Sequence, residues 1–326
     1  MAYMLNIEKK REKDRVDVND KKLAVVIVTY NRLQSVAKAI QSVFNSCPDC
    51  TIILIDNSPN TFCFENLKRS LEKCKNVFLF KNPYNYGFAK AVNQGIRIVM
   101  EKGKYDYILL LNDDAYLDKY CIPILIETLE KDERSLLAGP TIFYYRFPNK
   151  VWSAGGYFDS FTSRIIIPLK NKNVSIEELS NLSVKEVDFL TGCVLMIKYK
   201  AIKEIGLFDE NFFFYSEDLD YSFRVKKAGY KCIWVPSAIA WHDIQIIDRF
   251  NSTFALYNLA KSGIIFRRKH FKGGALVVNL MNFVFFQTTH KFFYLLLNKG
   301  NLSSINAWFR GIIDGFREPL INNYRD

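Results

Sequence analysis

Leu23-Ala24-Val25-Val26-Ile27-Val28-Thr29-Tyr30 decides the fold. The run is apolar, largely β-branched and uninterrupted, so it reads as a strand buried on both faces of a parallel sheet. The pattern continues outward. Asn31 reads as the N-cap of a helix in which Leu33, Val36, Ala37, Ile40 and Val43 recur at helical spacing. Thr51 to Asp56 is a second buried strand, stopped by Asn57-Ser58-Pro59-Asn60. Val77 to Phe80 reads as a third strand, Tyr86 to Met100 as a helix, Tyr105 to Leu111 as a fourth strand and Tyr120 to Lys131 as a helix. Such alternation implies right-handed crossovers and a parallel sheet. Later, Val187 to Lys198 reads as a strand, Glu217 to Ala228 as an amphipathic helix closed by Gly229, and Cys232 to Val235 as the start of another strand. Phe250 to Asp326 is expected to hold three helices.

In sheets of this class ligands bind at the carboxyl ends of the strands. Thr29 to Arg32, Asp56-Asn57 and Asn112-Asp113-Asp114 all fall at such ends and are expected to share one rim. Adjacent carboxylates leaving a buried strand suit a hard cation, and equally suit a solvated turn with helix-capping acids. From Phe208 to Asp220 five acids alternate with five aromatics. Acids forced against apolar surface gain pKa values suited to general-base work, although a capped helix start explains them too. Helical spacing puts Asp218 and Ser222 on one face and turns Asp220 elsewhere. His242 follows a strand-like run toward the rim of Asp114, where a neutral imidazole can complete a carboxylate metal site. Gly87, in Asn85-Tyr-Gly-Phe-Ala-Lys-Ala-Val-Asn93, permits close backbone approach, which suits a diphosphate or ribose near a helix N-terminus.

Taken together these residues resemble family 2 glycosyltransferases of the GT-A fold. The nearest subgroup transfers rhamnose, galactofuranose or related sugars onto cell-surface glycans. The matching stretches are Val25 to Arg32, Ile55-Asp-Asn-Ser58, Asn85 to Asn93, Leu109 to Ala115, Trp152-Ser-Ala-Gly-Gly156, Thr191-Gly-Cys193 and Ile205 to Glu210 running into Ser216-Glu-Asp218. The resemblance implies an α/β, Rossmann-like, mostly parallel central sheet flanked by helices, with a C-terminal helical extension. It implies an inverting, non-processive sugar transfer from a UDP-, dTDP- or GDP-linked donor to a hydroxyl of a glycan or lipid-linked acceptor. Thr29, Tyr30, Asn31, Arg32, Asp56, Asn85, Gly87, Asn93, Asn112 and Asp113 would bind the donor. Trp152, Gly155, Gly156 and Glu217 would lie by the sugar or acceptor. Asp218 would be the base, and Asp114 with His242 would hold Mg²⁺ or Mn²⁺. One departure stands out: the first acid of the usual metal motif is Asn112 here. The processive synthases carry Gln-x-x-Arg-Trp, and Gln245 to Phe250 has neither the spacing nor the final Trp.

The 326 residues carry a net charge of +11. From Ile246 onward eleven basic residues face four acids, so most of the excess lies in the last quarter. A basic, apolar tail suits an anionic partner. The segment Phe266-Arg-Arg-Lys-His-Phe271 beside Ala275 to Leu297 favours interfacial contact with an anionic membrane, with helix packing or homodimer contact as the plainer reading. Residues 1–22 read as a charged leader without the apolar core of a signal peptide, 23–245 as the transferase domain and 246–326 as the helical region. Seven cysteines, an odd number set mostly in apolar runs, read as reduced core thiols of a cytoplasmic protein on the inner face of the membrane. Cys47-Pro-Asp-Cys50 has redox spacing but falls where the first helix should end. A nucleotidyltransferase would normally place a glycine-rich loop after the first strand, and Tyr30 to Leu33 contains no glycine. A non-catalytic nucleic-acid or membrane adaptor leaves acids at strand ends unexplained, since they repel phosphates unless a metal intervenes. No nucleic-acid partner is therefore expected.

Overall fold

The decisive run forms strand β1 (Leu23–Thr29). Val25 and Ile27 enter a buried cluster on one face of the sheet, and Ala24 and Val26 enter another on the opposite face. Each fully buried Val, Leu or Ile contributes about 1.5–3 kcal/mol, so the strand is stable only with both faces covered. The computed structural model describes residues 20–72, 74–159, 162, 164–244, 252–289 and 302–321. After β1 come α1 (Leu33–Ser46), β2 (Thr51–Asp56), α2 (Thr61–Leu71), β3 (Val77–Lys81), α3 (Phe88–Lys102), β4 (Tyr107–Asn112), β5 (Ala115–Leu117) and α4 (Cys121–Glu130). The middle of the chain adds β6 (Ser135–Tyr144), β7 (Phe147–Ser153), β8 (Tyr157–Asp159), β9 (Arg164–Ile166), α5 (Ile176–Ser180), β10 (Lys185–Val187), β11 (Val194–Lys198), α6 (Tyr199–Ile205), α7 (Glu217–Lys227) and β12 (Lys231–His242). The C-terminal region holds α8 (Thr253–His270), α9 (Gly273–Met281) continuing into a π-helical turn (Asn282–Gln287), and α10 (Leu302–Arg317).

The main sheet runs β10-β12-β6-β11-β4-β1-β2-β3, with β5 beside β12 and β7 beside β6. Strands β3, β2, β1 and β4 are mutually parallel, as expected. Beyond β4 the sheet is mixed: β11 is antiparallel to both β4 and β6, and β12 is parallel to β6. Helices α1 and α4 cover one face through Val36, Ile40, Val43, Ile122 and Leu125, and α3 covers the other through Val92, Ile96 and Val99.

Local expectations fail in three places. The N-cap of α1 is Arg32, without a side-chain cap; Asn31 instead sits at φ 56° and its N–H donates to Ser58 Oγ at 2.8 Å. Helix α2 was hidden because, among its described side chains, only Leu67 buries strongly; Asn60 caps it by accepting from Phe62 N. The expected strand Val187 to Lys198 is two strands, β10 on the sheet edge and β11 near its centre. The chain crosses between them through residues 188–193, where Gly192 N is committed to Asp218. The N-terminal leader and Gln245 to Phe250 lie outside the described residues, apart from residues 20–22. Six cysteines are described as free thiols, four of them buried, and Cys47 N closes α1 by donating to Val43 O at 2.8 Å. Among the described residues no helix is long and apolar enough to cross a membrane.

Candidate active site

Two neighbouring cavities, of about 400 and 410 Å³, open on the rim formed by the ends of β1, β4 and β12. Phe88, Asn112, Phe214 and Tyr215 line both, so the cavities adjoin. The first is lined by Trp152, Thr191, Glu217, Asp218 and His242, and the second by Thr29, Tyr30, Arg32, Asn85, Gly87 and Asp113. Of the residues expected to bind acceptor or sugar, Trp152 and Glu217 line the first cavity, while Thr29, Tyr30, Arg32, Asn85, Gly87 and Asp113 of the expected donor set line the second, and Asn112 lines both.

Asp113 and Asp114 follow β4 and divide two tasks. Thr29 Oγ1 donates to Asp113 Oδ2 at 2.8 Å, and Tyr30 N donates to the same oxygen at 3.4 Å. Burial, reinforced by the charge of Asp114, pushes the Asp113 carboxyl up to about 6. Asp114 is buried beneath the lining; it meets the Arg32 guanidinium on one side and His242 Nε2 on the other, at 3.0 Å from Oδ1. His242 is carried there by β12, whose antiparallel pairing with β5 sets His242 opposite Ala115. The Trp152 ring packs edge-on against the imidazole with centroids 4.5 Å apart.

These residues fit a divalent cation. Asp114 Oδ1 and His242 Nε2 stand 3.0 Å apart, a spacing that two ligands of one cation can share. Among the described residues no group of three His, Cys, Asp or Glu side chains gathers, so further oxygens must come from a diphosphate and water.

Of the five acids between Phe208 and Asp220, three hold the fold. Asp209 pairs with Lys269, and Glu210 accepts from Asn93 Nδ2 at 2.9 Å. Asp220 is fully buried and takes Arg224 Nε, Lys269 Nζ and His270 Nε2, each at 2.8 Å. Burial alone would raise the Asp220 carboxyl, but the His270 hydrogen bond and the charges of Arg224 and Lys269 hold it well below the usual range. The cluster ties α7 to α8. Glu217 and Asp218 remain at the cavity. Gly192 N and Leu219 N donate to the two Asp218 oxygens at 2.9 and 2.8 Å, while burial pushes the carboxyl up. Ser222 Oγ shares this face, donating to the Asp218 carbonyl at 2.8 Å. Just before Glu217, Tyr215 and Ser216 both adopt left-handed backbone, at φ 69° and 66°. Strained non-glycine residues of this kind persist only where the surroundings hold them.

Five expected binding residues do not line either cavity among the described residues. Asn93 is fully buried and bridges Phe208 N, Phe208 O and Glu210, so it anchors the acidic loop onto α3. Gly155 at φ 66° lies against Val187 and Trp234, and Gly156 exchanges backbone hydrogen bonds with Phe189; both join β7 to the segment after β10. Asp56 lies under the rim, accepting from Ser58 N at 2.9 Å and standing 3.4 Å from Lys81 Nζ; its neighbour Asn57 lines the cavity instead. Asn31 supports Ser58 as above. Gly87, at φ 79°, does line the second cavity, but the close approach it permits is to the backbone of Phe213: Phe88 N donates to Phe213 O at 2.7 Å.

Reading the sequence missed the roof. Ser252, Phe254 and Ala255, at the start of α8, line the second cavity, and Leu259 lines the first. No local pattern marks them, because their partners lie far upstream in the chain. Phe214 and Tyr215 had a signal, the aromatic run before the acids.

The sequence model of glycosyl transferase family 2 matches residues 24–206. An N-acetylglucosaminyl-diphospho-decaprenol L-rhamnosyltransferase of Mycobacterium tuberculosis is 25% identical over 237 residues, covering 68% of this chain and 75% of the relative. A low-salt glycan biosynthesis hexosyltransferase of Haloferax volcanii is 22% identical over 239 residues, covering 72% of each. The structure of a mannosyltransferase from Pyrobaculum calidifontis, in complex with GDP-mannose and Mn²⁺, superposes with a TM-score of 0.57 at 11% identity, covering 96% of this chain and 81% of that one. The fold is thus GT-A, and with a family match over more than half its length the chain belongs to glycosyl transferase family 2 and is a glycosyltransferase.

Proposed function

We propose that the protein transfers a sugar from a nucleoside-diphosphate donor to a hydroxyl of a glycan or lipid-linked acceptor, once per encounter and with inversion, in cell-surface glycan synthesis. The carrying observation is that Asp218 lines one cavity, Arg32 and Asp113 line the next, and Asn112 belongs to both. Thr29, Tyr30, Arg32, Asn85, Gly87, Asn112 and Asp113 bind the nucleoside diphosphate. Trp152 and Glu217 border the sugar and acceptor. Asp114 and His242 would hold Mg²⁺ or Mn²⁺, which when bound supplies Lewis-acid neutralisation of the diphosphate.

Asp218 is oriented by the N–H groups of Gly192 and Leu219 and takes the acceptor hydroxyl proton. The acceptor oxygen then attacks the anomeric carbon from the face opposite the nucleotide. The C–O bond to the diphosphate breaks, and its electrons leave with the nucleoside diphosphate. Arg32 adds positive charge beside that leaving group. Ser252, Phe254 and Ala255 at the start of α8 complete the wall of the cavity that takes the donor.

Support for a lipid-linked acceptor comes from the named acceptor of the mycobacterial relative and from the helical region. Val277, Met281, Phe285 and Phe286 on α9 and its π-helical turn are exposed, as are Phe309, Ile313 and Phe316 at helical spacing on α10. Exposed Arg310 and Arg317 lie among the latter. Apolar faces rimmed by basic residues suit the surface of an anionic membrane, on whose cytoplasmic side the nucleotide sugars would be used.

The test is a thermal-shift screen of UDP-, dTDP- and GDP-sugars with Mn²⁺, followed by product analysis. Release of free nucleoside diphosphate supports the reading; release of pyrophosphate points to nucleotidyl transfer.

A further inference from the structure

Glu217 and Asp218 are adjacent buried acids at the start of α7 that line the same cavity, yet their surroundings differ. Asp218 accepts from two backbone N–H groups, the kind of partner that favours the ionised form. Glu217 has no ion pair among the described residues, and its Oε2 is buried without a hydrogen-bond partner. Burial, with the neighbouring charges of Asp218 and Asp220, pushes the Glu217 carboxyl well above the ordinary range. Lys170 and His242 line the same cavity, but neither pairs with Glu217 in the described structure. Two adjacent carboxylates away from water cannot both keep their charge at low cost. Glu217, less well supplied with donors than Asp218, is the one that retains a proton.

We propose that Glu217 works as a neutral carboxylic acid and donates a hydrogen bond from its carboxyl group, at the cavity wall, to an oxygen of the sugar in the cavity. This deepens the reading of the cavity given above and rests on it for the identity of the ligand. The proton stays on Glu217 through the reaction, so the residue selects and orients the sugar while Asp218 alone carries the acceptor proton. Leaving the acid buried without a partner is unfavourable, and a sugar oxygen supplies that partner. A donor lacking an oxygen at that place leaves the acid unsatisfied, which makes Glu217 a specificity-determining residue.

The first arm needs no substrate. Infrared difference spectra of the free enzyme at pH 7 are expected to show the carbonyl stretch of a protonated carboxyl that vanishes in Glu217→Gln. Carbon NMR of the glutamate carboxyls in the wild type is expected to show one that stays protonated at pH 7. A spectrum unchanged by the substitution, with every glutamate ionised, overturns the proposal. The NMR measurement stands even if the variant fails to fold.

The second arm uses whichever nucleotide sugar passes the screen. Glu217→Ala should lose about tenfold to a hundredfold in kcat/KM. Glu217→Gln, which still donates through N–H, should recover most of that. A Glu217→Gln enzyme as inactive as Asp218→Asn would mean that the carboxylate charge itself is needed and would overturn the proposal. If no nucleotide sugar is turned over, the transfer reading fails, while the spectra still decide the state of Glu217.

Discussion

His242 Nε2 stands 3.0 Å from Asp114 Oδ1 although 128 residues separate the two in the chain. Strand β12 returns beside the short β5 and delivers the imidazole to the acid that follows β4. The contact joins the first part of the sheet to its last strand, with His242 lining the first cavity and Asp114 buried beneath it.

Metal binding should depend on that pair. Titration calorimetry or manganese electron-spin resonance, with UDP or GDP present, should show Mn²⁺ affinity reduced about tenfold or more in Asp114→Asn and in His242→Ala. Unchanged Mn²⁺ affinity in both variants would place the cation elsewhere.

Asp220 should matter for stability rather than for donor chemistry. Its carboxylate faces Arg224, Lys269 and His270 in the protein interior, and removing its charge takes that carboxylate from Arg224, while Lys269 keeps Asp209. Asp220→Asn is expected to destabilise the fold by about 3–5 kcal/mol, read by urea unfolding. A loss within experimental error would show that the cluster is not coupled to folding.

Stability should fall on mild acidification through His270. Lys227 Nζ donates to its Nδ1 at 3.1 Å, and burial holds the ring below its ordinary pKa despite Asp220. A lowered folded value means that the contribution is present above the unfolded pKa, about 6.5, and is lost as pH falls through the lowered folded pKa. Melting temperatures from pH 7 to 5 should therefore drop less in His270→Gln than in the wild type. Parallel curves would remove His270 as the source.

The sheet and its rim were legible because each depends on local pattern. Continuous β-branched runs marked β1 and β2, and polar breaks after them marked the strand ends where Thr29 and Asp113 now bond. Asp220 turned away from Asp218 as helical spacing required. What stayed hidden depends on distant partners. Asn93 looks like a pocket residue until Phe208 and Glu210 fold onto it, and Phe254 is unremarkable until the start of α8 comes to line the second cavity. The break between β10 and β11 follows from the need to present Gly192 N to Asp218, which no strand propensity records.

The proposed membrane contact runs through the exposed faces of α9, its π-helical turn and α10. Flotation with vesicles containing anionic lipid should retain the wild type at low salt, and the double variant Phe285→Ser and Phe286→Ser should float less. Equal flotation of both, or a dimer in solution that the same double variant dissociates, would assign these faces to another role.

The central claim is that Asp218 is the base at a donor–acceptor cleft, and the most direct measurement pairs turnover with binding in Asp218→Asn. General-base removal is expected to lower kcat by about 10²–10⁴-fold while the nucleotide sugar binds with unchanged affinity by calorimetry. Near-normal turnover in that variant would contradict the account.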